Sequence, residues 1–250
     1  MTKRIIQSII TGLTVFLFPS YTPIDEAKNE LVILIDAVKK ADNQRAGISM
    51  NAYYKLFENH STTKLEDAHK GYYSKMGKEN FKLDLYGTTT IRNKEFLFIK
   101  DDSNQVIIIS RAEKNHIKDP KGDCEKFLKK ATEIRKLENT FFGIGFAITY
   151  KNPEGDNEKF EMYIDPIKKN ITRLVFYYHQ PLMYDSQTGT YQRKKPRLEI
   201  NYAEIIHNPD FPKDEFSFSK ILSRDKNGKW TIKAPYSEYE LVDQTDFKLN

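Results

Sequence analysis

The chain has little of what staples a fold from outside. It has one cysteine, Cys124, in 250 residues. An internal disulfide is therefore excluded, and so is any site built on paired thiols. Cys124 lies in a polar segment and is expected to be a structural thiol. Neither sign of charge dominates, with 40 Lys and Arg against 35 Asp and Glu. Lys and Glu are interspersed along the whole chain, so no nucleic-acid partner is expected. Catalytic signatures are scarce too. There is no G-x-S-x-G and no phosphate loop. The five histidines, His60, His69, His116, His179 and His207, show no metal-ligand spacing. Asp101-Asp102 sits in a turn pattern. Gly155-Asp156-Asn157-Glu158 lacks the spacing of a calcium loop. We expect no cofactor, no metal and no enzymatic activity.

A long apolar run occurs once, at Ile5 to Phe18, behind the basic Lys3-Arg4. That is the layout of a secretory signal peptide over residues 1–22, and the run is short for a membrane span. The alternative is an uncleaved segment that anchors the protein. Removing residues 1–22 leaves 38 basic against 35 acidic residues. Residues 23–250 are expected to form one exported, periplasmic, monomeric domain with a C-terminal extension over 224–250.

Aromatic residues are abundant, with 16 Phe and 15 Tyr against one Trp, as suits a broad apolar sheet face. The centre is Gly71 to Arg111, which reads as four short strands in a row, the first over 71–76. Phe81, Leu83 and Leu85 alternate with Lys82, Asp84 and Tyr86, the period of a strand with one wet face. Phe96-Leu97-Phe98-Ile99 and Val106-Ile107-Ile108-Ile109 follow, separated by an Asn/Asp-rich turn. Strands joined so closely are antiparallel. Before them, Ile48, Met50, Ala52, Tyr54 and Leu56 share one face of a strand over 46–57. Residues 58–69 read as a polar connection.

Pro23 to Ala41 reads as an amphipathic helix, with Leu31, Leu34, Ile35 and Val38 in one stripe and Lys39-Lys40 in its last turn. Asp119 to Glu138 reads as a second helix through Phe127, Leu128, Ala131, Ile134 and Leu137. Strands are expected again over 141–150, with Ile144 and Phe146 on one face. A hairpin follows over 160–178, then a polar loop over 182–195 and a strand over 197–206. Phe216 and Phe218 flank a further short strand, and Asn227-Gly228 marks a hairpin turn. The fold class is α+β, a curved antiparallel half-barrel sheet covered by two or three helices. Such a sheet can pack solid. It can also leave an apolar cleft that binds a ligand.

Two passages carry a resemblance. One runs from Gly71-Tyr72-Tyr73-Ser74-Lys75 through Asn80-Phe81-Lys82-Leu83 to Ile107-Ile108-Ile109. The other runs from Arg197-Leu198-Glu199-Ile200-Asn201-Tyr202 through Asn208-Pro209 and Phe211-Pro212 to Glu215-Phe216-Ser217-Phe218. They resemble the LolA/LolB family of outer-membrane lipoprotein carriers over roughly residues 23–222. The sequence departs from the family in having Lys75 and Lys78 where an Arg before the third strand is expected, and Tyr and Phe at early Trp positions. The resemblance implies a carrier or binder that holds acyl chains in an apolar cavity. Its partners would be a lipid or lipid-modified protein, with inner- and outer-membrane partner proteins. A non-catalytic envelope interaction or sensor module on the same fold is the competing reading. The expected lining is Ile48, Met50, Tyr54, Leu56, Phe81, Leu83, Leu85, Phe96, Phe98, Ile144 and Phe146, with Leu34 and Val38 from the covering helix.

Overall fold

A computed structural model describes residues 24–112, 128–150, 157–179, 182–185, 190–193 and 195–245. Residues 1–22, His116, Cys124 and Gly155-Asp156 lie outside that range. Helix α1 spans Ile24–Gln44. Six strands follow in succession: β1 Gly47–Phe57, β2 Leu65–Met76, β3 Asn80–Leu85, β4 Thr88–Arg92, β5 Phe96–Asp101 and β6 Val106–Arg111. The next group is β7 Glu133–Thr140, β8 Gly143–Thr149, β9 Asn157–Asp165 and β10 Asn170–Tyr178. A small hairpin, β11 Leu182–Asp185 with β12 Thr190–Arg193, leads to β13 Arg197–His207. A second one, β14 Leu222–Arg224 with β15 Trp230–Ile232, leads to β16 Glu240–Gln244.

Twelve strands form one open sheet in the order β16-β6-β5-β4-β3-β2-β1-β13-β10-β9-β8-β7. The α+β antiparallel architecture expected from the pattern is present. One pairing is parallel, β16 along β6. The meander has one more strand than its apolar pattern suggested. β4 is Thr88-Thr89-Thr90-Ile91-Arg92, and the turn before it uses Tyr86 and Gly87 at φ of 53° and 73°. Two positive φ values in a two-residue loop match the twist of the flanking strands.

Five expectations need correction. Residues 133–138, read as the end of a second helix, belong to strand β7. There Ile134 and Lys136 share a face, opposite Ile148 and Phe146 of β8. Ile134 is buried against α1, and Lys136 reaches Glu30 of α1 at 2.6 Å. Pairing with β8 overrides a modest helix propensity. Residues 119–127 lie outside the described range, and α1 is the one long helix among the described residues. The connection after β1 is shorter than expected, because β2 begins at Leu65. Residues 182–193 contain a hairpin. The segment around Phe216 and Phe218 is a series of turns, with Ile221 and Leu222 amides donating to the Phe218 carbonyl. α1 also runs on to Gln44, so Lys39 and Lys40 are not in its last turn.

Two cores lie on opposite faces of the sheet. Directly opposed residues of paired strands share a face. The helix face can therefore be followed along register pairs. It runs Phe146–Met162, Met162–Leu174, Leu174–Ile200, Ile200–Tyr54, and in the next strands Tyr73–Leu83, Leu83–Thr90 and Thr90–Ile99. At its β7–β10 end α1 buries Ala27, Leu31, Ile35 and Val38 against Ile134, Phe146, Ile148, Phe160 and Ile164. Each fully buried Leu, Ile or Val there contributes about 1.5–3 kcal/mol. On the other face, at the β4–β6 end, Ile91, Phe96, Phe98, Ile107 and Ile109 pack under Phe218, Leu222 and Trp230 of the C-terminal segment. The described chain beyond Arg224, to residue 245, thus contributes to the sheet's cover, and β16 is part of the sheet.

Candidate functional site

α1 covers only part of the helix face. Where it runs off the sheet, a cleft of about 290 Å³ remains. β1 supplies its floor through Ile48, Met50, Ala52 and Tyr54, with Tyr73 of β2 and Leu83 of β3 beside them. β13 adds Tyr202 and Ile205, and α1 adds Val38 and Asp42. Asn170 and Ile171 close one end. The volume is at the low end of the ~300–1,000 Å³ usual for ligand sites.

Apart from Asp42 at one end, the lining is uncharged. Burial raises the hydroxyl pKa of Tyr54 and of Tyr73, and pushes Tyr202 up to about 12. The charged groups stand at the end of the cleft. Arg45 donates to Asp42 at 2.7 Å, to Asn170 Oδ1 at 3.0 Å and to the Lys168 carbonyl at 2.7 Å. His207 Nε2 lies 2.9 Å from the same Asn170 oxygen. Burial, then the Arg45 charge, holds the His207 pKa below its ordinary value. Neutral His207 donates its Nε2 hydrogen to Asn170, which is thereby fixed by two donors. The end of the cleft is rigid and polar while its walls are apolar.

The structure sorts the thirteen expected lining residues into four groups. Val38, Ile48, Met50, Tyr54 and Leu83 line the cleft together. Leu56, Phe81 and Leu85 share that face by register and stay half-buried beside it. Ile144 and Phe146 are also on that face but belong to the packed core under α1, against which Leu34 of α1 itself packs. Phe96 and Phe98 point the other way. They are buried under the C-terminal segment, where Phe98 stacks on Phe218 with ring centroids 5.1 Å apart. The reason lies in the run Phe96-Leu97-Phe98-Ile99, which is apolar on both faces, so its alternation does not say which face is which.

The lining also contains residues outside the expected set. Tyr202 continues the alternation of Leu198 and Ile200 and could have been found by parity. Ile205 could not. It follows Glu204, which has φ of 52° and opens a bulge in the β1–β13 register, and a bulge changes which residues share a face. Among the described residues no group of three His, Cys, Asp or Glu could hold a metal ion. No helix among them is long and apolar enough to cross a membrane.

No protein-family model matches this sequence, and comparison with curated proteins gives no match. Among solved structures the fold is similar to an uncharacterized conserved protein of Thermus thermophilus, at 9% identity and a TM-score of 0.46, over 86% of this chain and 99% of that one. It is similar to the Pseudomonas aeruginosa MucA/MucB complex structure at 10% identity and a TM-score of 0.42, over 76% of this chain and 60% of that one. It is also similar to a LolA superfamily protein of Nitrosomonas europaea at 11% identity and a TM-score of 0.32, over 76% of this chain and 98% of that one. At these identities and scores the similarities carry no functional argument.

Proposed function

We propose that the protein is an exported, periplasmic carrier or binding protein that holds acyl chains of lipoproteins or lipids in the cleft between α1 and β1–β3. One observation carries this reading. The middle of the helix face presents Ile48, Met50, Tyr54 and Leu83 around an open apolar cleft, while both flanking cores are packed. Apolar side chains left half-wet cost free energy unless a ligand covers them. Each methylene taken from water is worth about 0.8 kcal/mol, so about ten of them give on the order of 8 kcal/mol. That is enough to draw a chain from water and small enough for it to be given up to a membrane.

Lipid extraction after native mass spectrometry of the exported protein tests the proposal. A co-purifying acyl species, or uptake of added fatty acid, supports it. Leu83→Glu should abolish that uptake while export and folding persist. Uptake unchanged by Leu83→Glu would refute the placement of the chain in this cleft. A protein that takes up no acyl species at all would be better read as a non-catalytic envelope interaction module.

A further inference from the structure

Two large apolar side chains stand in water at one end of the sheet. Phe141 is 98% exposed and Ile167 is 89% exposed. Phe141 is in the β7–β8 turn and Ile167 in the β9–β10 turn. β8 and β9 are paired at Ile144 and Ile164. Phe141 lies three residues before Ile144, and Ile167 three after Ile164. Paired strands are ~4.8 Å apart, so the two tips are side by side. The neighbouring Phe142 carbonyl is tied to this arrangement, since it accepts from the Thr172 hydroxyl of β10.

Folding does not require either side chain. The β9–β10 turn is held by Asp165, whose carboxylate accepts from the Ile167 and Lys168 amides at 2.9 Å each. It uses the backbone of Ile167 and not its side chain. Phe141 touches only the edge of Phe142 among the described ring contacts, at 5.7 Å between centroids. Turns of this kind ordinarily carry Gly, Asn, Asp or Ser. A lone exposed apolar residue means little. Two adjacent ones at the outermost points of neighbouring hairpins form a wedge.

The wedge has a basic rim. Lys168 and Lys169 follow Ile167 and are exposed. Two nearby carboxylates are otherwise engaged, Asp165 by its own turn and Asp42 by Arg45, while Glu138 near the end of β7 is exposed. Apolar tips flanked by lysines match a bilayer whose headgroups are anionic and whose interior is apolar. The Asn170 end of the cleft is at this same end of the sheet. We infer that the protein docks on an anionic lipid surface through the paired hairpin tips bearing Phe141 and Ile167, with Lys168 and Lys169 against the headgroups.

The test uses the full chain with a tryptophan placed by Phe141→Trp or Ile167→Trp, and Ser103→Trp in the β5–β6 turn at the opposite end as control. Trp230 is buried and gives a constant background. The probe is vesicles of phosphatidylethanolamine with phosphatidylglycerol, some carrying brominated acyl chains, and vesicles of phosphatidylcholine alone. Emission at positions 141 and 167 should shift to the blue and be quenched on anionic vesicles, while position 103 does not respond. The double variant Phe141→Ser with Ile167→Ser should bind those vesicles about tenfold more weakly or worse, and added salt should weaken wild-type binding. The same variant should still take up fatty acid, so failure of docking and failure of the carrier reading are separate results. No shift at 141 and 167 would overturn the inference. So would an equal response at 103, or equal binding to phosphatidylcholine. A dimer that the double variant abolishes, without any vesicle binding, would overturn it as well.

Discussion

Replacing Phe98 by Ala separates the two faces of the sheet. Phe98 has no exposed surface, stacks on Phe218 at an interplanar angle of 7°, and lies opposite Ile91 and Ile109 in register. Truncating a buried Phe costs about 3–5 kcal/mol, the stacked pair accounting for about 0.5–1.5 of it. With a urea slope of about 2 kcal/mol per molar, the midpoint should fall by about 1.5–2.5 M. Urea titration followed by both far-UV circular dichroism and fluorescence checks this. The only tryptophan, Trp230, sits in the same core with its ring centroid 5.6 Å from that of Phe218. Its transition should move at least as far as the dichroism does. Fatty-acid uptake by the folded variant should be unchanged, because the cleft is on the other face. A midpoint shift under about 0.5 M, or loss of uptake in the folded variant, would refute the assignment of Phe98 to the core beneath the C-terminal segment.

Other outcomes are expected from single sites. Glu161 is buried, which alone would raise its pKa. Lys159 at 2.6 Å and the hydroxyls of Tyr163 at 2.9 Å and Tyr177 at 3.1 Å nevertheless hold its carboxyl below the ordinary range. Its contribution to stability is present above the ordinary carboxylate pKa and is lost as pH falls through the lowered one. Glu161→Gln should therefore flatten the acid limb of a stability-versus-pH curve, and an unchanged limb would refute the linkage. Tyr163 moves the other way. Burial first, then the Glu161 charge, raises it from 10.0 to about 12. Stability should fall as pH rises between those values, and Tyr163→Phe should reduce that fall. Gly143 has φ of 105°, and an added Cβ would sit 2.3 Å from the Ile164 carbonyl oxygen. Gly143→Ala should cost about 3 kcal/mol or more, read as a lowered melting temperature. A near-neutral effect would mean that the β7–β8 turn can rearrange.

The meander was legible because each of its strands reports its faces locally. Phe81, Leu83 and Leu85 alternate cleanly with polar neighbours, and they lie on one face in the structure. Legibility failed where the signal was not local. Thr88 to Arg92 has one strongly apolar residue, so β4 was hidden, although a run of β-branched threonines is itself a strand cue. Glu133 to Thr140 carries good helix formers, and its strand state is imposed by β8 on one side. Of the cleft, the β1 wall and Leu83 were readable from parity. The separation of Phe96 and Phe98 from them was not. It depends on following parity through five strands and on finding that the C-terminal segment packs on the far side. Ile205 depends on a backbone bulge for which no residue type is diagnostic.

The two buried clusters share no strand, and neither includes a residue of β1, β2, β3 or β13. All six residues of β3 are half-buried. The sheet is thus a plate thickened at both ends, on opposite sides, and thin across its middle. A plate of that shape bends where it is thin. Flexing there would change the angle between β1–β3 and the end of α1 without breaking into either core, and α1 would not have to leave its seat for the cleft to widen.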